Sequence, residues 1–422
     1  MKRILLPDPL FEQRLERGGG GDVGAIPAGV AERVEELCLL SGVGAGEGDV
    51  VLAECVPRAG ELPELLRGVR YERVEDFCRW FGGLTVGERV GWRLEPWGWT
   101  AWSAGLVRRL GLQQQCPDPE AVRLVNSREF SASEDVLLSV CGGQPGGELF
   151  GRLCRSVAEV ELFLRELCEG VGGSGVGHGG GWVLKSNFSH AARNRLVGRG
   201  VSLGDRERGW LERRLVRGGC VYAEPWVERL GECGLQWEVV GESGGGWRVE
   251  FVGAAEFLTD QGGEYRGSVL RSVLRSVLGV SGCWWEVSGA VSVARRVVER
   301  AAMLGFRGPV GIDCMWIRFG GREWVRAVHD VNGRQTMGRL ALSLCGRLGP
   351  GECGVWLHYP AESAAVRLIS HVGERYGGVR LVSTSAEVLN ARAARLRTWL
   401  VIAEDSQGLR AVLSELGCDW RG

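Results

Sequence analysis

The stretch Gly308-Pro-Val-Gly-Ile-Asp313-Cys-Met-Trp-Ile-Arg-Phe-Gly-Gly-Arg-Glu-Trp-Val-Arg-Ala-Val-His-Asp330-Val-Asn332-Gly-Arg334 reads as two strands joined at Gly320-Gly321. Apolar runs on either side of paired glycines are the mark of a hairpin. With an even turn centred on those glycines, position 313 lies opposite 328, and side chains alternate between the two faces. Asp313, Asp330, Asn332 and Arg334 then share one face, with Asp313 and Asp330 diagonal neighbours about 7 Å apart at Cα. An odd turn would put the two carboxylates on opposite faces. Two carboxylates and one amide oxygen suit a hard cation that also keeps oxygens of a bound ligand in its shell. The competing reading is a solvated strand face with a charge at each end. Against it, Asp330 and Asn332 sit between apolar stretches, and a buried carboxylate needs a cation or donors to replace its hydration. His329 falls on the other face, as a packed core histidine.

Outward from this hairpin the chain alternates strand and helix. Upstream, Val291 to Leu304 is an amphipathic helix, and Leu235–Val240 with Trp247–Ala254 forms another hairpin around a glycine run. Trp182–Lys185 and Val221–Glu224 are short strands. Residues 170–181 are a Gly-rich loop holding His178, and 117–167 are mostly helical apart from Cys141-Gly-Gly-Gln-Pro-Gly-Gly147. The unit repeated over Ser268–Leu278 reflects coding bias. The first 110 residues alternate helix (Ala28-Val34-Leu40, Val74-Phe77-Phe81) with strand (Asp49–Glu54), and the last 75 return to mixed α/β. The glycines at 42, 44, 46 and 48 precede their strand and miss the dinucleotide-binding spacing, so they read as a loop.

At 422 residues the chain has room for two or three domains. A net charge of −1 gives no reason to expect nucleic acid or an anionic membrane as partner. No apolar run approaches the roughly 20 residues of a membrane span, and the start lacks a signal-peptide core, so a cytoplasmic location is expected. The 14 cysteines include no C-x-x-C pair and read as small buried hydrophobes in a reducing compartment. Of 51 basic residues only Lys2 and Lys185 are lysine. Against such a background, an interior lysine points to a place where a compact ammonium serves and a planar guanidinium does not.

The hairpin resembles the ATP-grasp superfamily, whose pattern of a metal-binding acid after Gly, then acid-x-Asn-x-Arg closing the next strand, is matched by Gly311-Ile312-Asp313 and Asp330-Val331-Asn332-Gly333-Arg334. One departure is Asp330, where the family usually has Glu. The remaining parts follow the family's order. Lys185 closes a strand ahead of the small-residue loop 186–200, which includes His190. The resemblance implies that Lys185 contacts the α- and β-phosphates while the loop covers the triphosphate. Glu224-Pro-Trp-Val227 is similar to the adenine hinge, with Glu224 and the Val227 backbone at the adenine edge and Glu232 at the ribose. Arg128 stands where the family often has an upstream lysine.

The resemblance implies an α/β (α+β ATP-grasp) fold: an N-terminal α/β domain at 1–116, an ATP-grasp region at 117–345, and a C-terminal α/β segment at 346–422. It implies ATP as nucleotide and Mg2+ held by Asp313, Asp330 and Asn332, with Mn2+ as an alternative ion. The implied activity is a ligase that joins a small-molecule carboxylate to an amine through an acyl phosphate. Arg334 would bind the carboxylate or the tetrahedral intermediate, with Arg307 sharing that role or making a surface salt bridge. The alternative is a regulatory or scaffolding protein that binds ATP without turnover, which the Asp330 and Arg128 departures permit. A P-loop enzyme is excluded because neither lysine follows a glycine, and the kinase catalytic-loop spacing is absent.

Overall fold

The computed structural model describes residues 1–18, 26–58, 60–133, 151–169, 181–188, 194–242, 244–260, 263–271, 283–319, 321–418 and 420. Its strands fall into sheets in chain order. The first is parallel, in the order β3-β2-β1-β4: β1 (Lys2–Leu6), β2 (Val50–Leu52), β3 (Arg70–Glu72) and β4 (Trp92–Pro96). Ile4, Leu5, Leu6 and Val50, Val51, Leu52 are all buried, as strands covered on both faces must be. Helices Ala28–Leu39, Val74–Gly82 and Ala101–Leu110 alternate with these strands.

The second sheet is antiparallel, in the order β5-β8-β6-β7: β5 (Arg152–Cys154), β6 (Gly181–Ser186), β7 (Arg195–Arg199) and β8 (Val221–Pro225). Helices Val157–Glu169 and Asp205–Gly218 pack on it around Phe163, Trp182, Leu184 and Leu211. The third sheet comprises β9 (Glu228–Gly241), β10 (Trp247–Thr259), β11 (Tyr265–Arg271), β12 (Gly308–Phe319), β13 (Arg322–Asn332), β14 (Cys353–Pro360) and β15 (Val379–Ser383). A two-stranded hairpin, β16 (Val388–Leu389) with β17 (Arg392–Ala393), precedes its last member, β18 (Leu396–Ala403). The order across this sheet is β13-β12-β9-β10-β11-β14-β18-β15, antiparallel throughout. Of the strands after residue 345, β14, β15 and β18 therefore extend the sheet that carries Asp313.

Helix Ala290–Met303 buries Ala290, Ala294, Val297, Val298, Ala301 and Ala302, a stripe at helical period that joins the main core. Thr336 caps the helix Met337–Leu342 by accepting from Arg339 N at 3.0 Å. Among the described cysteines nine are buried, two partly buried, and Cys116 and Cys168 exposed, in line with their reading as packing residues. No helix among the described residues is long and apolar enough to cross a membrane. The readings at Cys141–Gly147, at 170–180 with His178, at His190, and beyond Arg271 in the 268–278 repeat lie outside the described residues.

Candidate active site

The hairpin β12–β13 has the expected turn, but its register changes midway. From the tip, Phe319 pairs with Arg322 and Met315 with Arg326; beyond that, Asp313 pairs with Asp330 and Gly311 with Asn332. Residues 327–329 thus stand opposite Cys314 alone, a bulge on β13. The slip is by two residues, so facing is preserved: Asp313, Asp330 and Asn332 share a face as expected. The correction is that the two acids are direct partners, about 5 Å apart at Cα, not diagonal ones. The bulge also breaks strict alternation. Ala327 and Val328 enter the core, while Arg326, His329 and Asp330 all line one cavity. His329 is accordingly part of the site, not a core histidine.

That cavity has a volume of about 530 Å³ and lies where the three sheets meet. It gathers Lys185, Glu224, Val227, Glu232 and Arg128 with Asp313, Asp330, Asn332 and Arg334. Arg307 stands apart. It immediately precedes β12, six residues before Asp313, or about 20 Å along an extended strand, and its Nη1 donates to Ala302 O at 2.9 Å and Phe306 O at 2.6 Å. Arg307 thus completes the C-terminal end of helix Ala290–Met303 instead of reaching the acids.

Two charge clusters share the cavity. In one, Lys185 at the end of β6 pairs with Glu224 on β8. Arg326 donates to the same carboxylate at 2.9 Å and to the Tyr222 hydroxyl at 3.1 Å. Burial alone would raise the Glu224 carboxyl, but Lys185 and the other neighbouring cations outweigh it and hold it well below the carboxylate range. Glu224 therefore spends its side chain on cations. Burial, with a smaller contribution from Arg128, draws the Lys185 ammonium below its ordinary value, and Glu224 opposes the shift. His329 Nε2 lies 3.0 Å from Lys185 Nζ. Burial and the Lys185 charge keep its imidazole neutral, and its Nδ1 is buried without a hydrogen-bond partner, 3.9 Å from Glu224.

In the other cluster, Asn332 Nδ2 donates to Asp313 Oδ2 at 3.2 Å, and Arg334 Nη2 donates to Asn332 Oδ1 at 3.0 Å. Burial first, then the charge of Asp330, pushes the Asp313 carboxyl up to about 7. Arg128 bonds to Asp330. Arg334 Nε pairs with Glu12, on the short helix Phe11–Glu16, at 2.5 Å. Glu232 accepts from Thr259 Oγ1 and from Arg229 Nη1. Two facing carboxylates with one of them driven toward protonation are short of positive charge, and an all-oxygen donor set fits magnesium or manganese. No group of three or more His, Cys, Asp and Glu side chains suited to a metal occurs among the described residues. A cation here would complete its shell from ligand oxygens.

Sequence reasoning missed Arg326 and His329. Arg326 pairs with Met315 ahead of the bulge and shares the parity of Asp330, a signal that was available, whereas the bulge that turns His329 inward leaves no mark in the residue pattern.

No family model matches the sequence, and no curated protein does. Solved structures do match. The chain is similar to N5-carboxyaminoimidazole synthetase from Staphylococcus aureus complexed with ADP, at TM-score 0.51 and 10% identity, over 98% of this chain and 96% of that one. A second N5-carboxyaminoimidazole ribonucleotide synthetase, also an ADP complex, aligns at TM-score 0.51 and 13% identity, over 99% and 96%. The Aspergillus clavatus synthase, in complex with ADP and an aminoimidazole ribonucleotide, aligns at 0.50 and 11%, over 98% and 97%. Together with the order of the sheets, these likenesses over nearly the whole of both chains show that the fold is that of the ATP-grasp superfamily.

Proposed function

We propose that this chain is an ATP- and magnesium-dependent ligase that activates a small-molecule carboxylate as an acyl phosphate for attack by an amine. The observation that carries the reading is convergence. Lys185, from the second sheet, and the facing Asp313 and Asp330, from the third, line one cavity. A phosphate chain laid between them meets a cation from one side and a metal-binding pair from the other. Glu224–Val227 and Glu232 line the same cavity and supply an adenine edge and a ribose contact.

In this reading Asp313, Asp330 and Asn332 would hold Mg2+, which would supply charge neutralisation to the bound phosphates. Lys185 balances the remaining phosphate charge, and Arg128 turns from Asp330 toward the phosphates. Arg334 exchanges Glu12 for the substrate carboxylate, which its planar donor face holds in line with the γ-phosphorus. A carboxylate oxygen attacks that phosphorus and ADP departs. The amine nitrogen then attacks the acyl carbon, phosphate leaves with the former carboxylate oxygen, and the amine proton passes to it.

Lys185→Ala and Asp330→Ala should each abolish ADP release, with at least a hundredfold loss. Hydroxylamine added to a library of carboxylates should yield a hydroxamate for the true acid. Full activity in either variant would overturn the site assignment. Nucleotide binding with no ADP formed from any mixture would favour the non-catalytic reading.

A further inference from the structure

The cavity continues past the acids, across the face of the third sheet. Between Asp313 on β12 and His358 on β14 lie β9, β10 and β11, so four strand spacings separate them, roughly 19 Å. The walls change along that path. The far arm is lined from the sheet by Phe257, Tyr265 and His358, and from helix Ala28–Leu39 by Val30, Val34 and Leu37. Phe257 and Tyr265 have ring centroids 6.4 Å apart, and Tyr265 and His358 5.2 Å, so the sheet side is a continuous aromatic surface. Val30, Val34 and Leu37 recur at i, i+4 and i+7, one stripe of the helix. All three stay half-buried, while the buried side chains of that helix are Glu36, Cys38 and Leu39. An apolar stripe is thus turned toward the cavity.

The charges that reach this arm are matched. Arg266 donates to Asp260 at 2.8 Å and to Glu264 at 2.9 Å, and Arg33 lies 4.0 Å from Glu264. Two arginines set against two carboxylates leave the arm without a net charge to draw in an ionic ligand. His358 brings a polar ring to the aromatic side of the arm. Its ring is buried, burial drives its pKa down to about 3, and it is therefore neutral at any working pH. Its Nε2 has no hydrogen-bond partner. A buried ring nitrogen left unpaired is costly, and a ligand atom that meets it removes the cost.

We propose that this arm holds the body of the acid substrate, and that the body is uncharged and apolar, of aromatic or branched-aliphatic size, with one polar atom meeting His358 Nε2. The assignment of the head group to Arg334 rests on the ligase reading; the chemistry of the arm does not. Such a substrate is an amphiphile, a carboxylate on an apolar stem, and differs in kind from a phosphorylated ribose.

The test is calorimetric binding to the full chain, with and without magnesium and a non-hydrolysable ATP analogue. The probes are 3-phenylpropionate, 3-(4-hydroxyphenyl)propionate, acetate and ribose 5-phosphate. Phenylpropionate should bind at least tenfold more tightly than acetate, and the hydroxylated acid more tightly still. Val34→Trp, which fills the arm from the helix side, should erase the preference over acetate. His358→Phe keeps the ring and removes the nitrogen, so it should remove only the added affinity of the hydroxylated acid; it serves equally if Val34→Trp fails to fold. Equal binding of acetate, preference for ribose 5-phosphate, or a silent His358→Phe would overturn the proposal. If phenylpropionate binds but no acid supports ADP release, the ligase reading falls and the arm stands. If ADP is released only with short or phosphorylated acids, the arm proposal falls and the ligase reading stands.

Discussion

Asp313 is buried opposite Asp330, and burial followed by that charge raises its carboxyl from 3.8 to about 7. A carboxyl raised in the folded state destabilises the fold when ionised. The penalty is absent below pH 4, grows between 4 and 7, and is complete above 7. Asp313→Asn should therefore stabilise the metal-free protein at pH 8 by on the order of 2 kcal/mol, and by little at pH 4. Urea denaturation at the two pH values checks this; an equal gain at both would show that charge is not the cause. Asp313, Asp330 and Asn332 were legible because facing depends only on parity, and a slip of two residues leaves parity intact. Arg307 was misleading because adjacency to the strand in sequence says nothing of distance along it.

At the scale of elements, the close packing around the hairpin depends on a missing side chain. Gly311 lies opposite Asn332, and a Cβ there would stand 2.6 Å from Thr336 Cγ2. Thr336 both caps helix Met337–Leu342 and donates to Gln236 at 2.8 Å. Gly311→Ala should push that cap outward at a cost of about 1–3 kcal/mol, read as a lowered melting temperature. Gly321→Ala, at a turn with φ of 73° and open space around it, should cost only backbone strain of about 1 kcal/mol. Seven of the eighteen described strands (β2, β6, β8, β9, β10, β12 and β13) and the helices Ala28–Leu39, Val74–Gly82 and Ala290–Met303 were legible from period and glycine punctuation. The bulge at 327–329 was not, since Ala-Val-His continues a strand as readily as it interrupts one.

For the molecule as a whole, helix Ala28–Leu39 and the last strands are joined through Glu36. Its buried carboxylate accepts from Leu396 N at 2.8 Å and Arg395 N at 2.9 Å, and also pairs with Arg392. Glu36→Ala strands two backbone donors and should cost about 2–4 kcal/mol. Glu35→Ala removes a more exposed partner of Arg392 and should be nearly neutral; chemical denaturation of the two variants makes the comparison. What the sequence hid was the pairing of β11 with β14, since nothing local in either strand identifies a partner so far along the chain.

That pairing also bears on how the protein is made. Between Arg271 and Cys353 roughly 80 residues intervene, so during synthesis β11 emerges long before the strand that covers its edge. Until then the sheet carrying Asp313 presents an open row of backbone donors and acceptors, a template for any other extended chain. Its completion waits on a non-local closure, which is slow compared with hairpin formation. The interval between the two is when a nascent copy is most exposed to aggregation, and when a chaperone would have the most to shield.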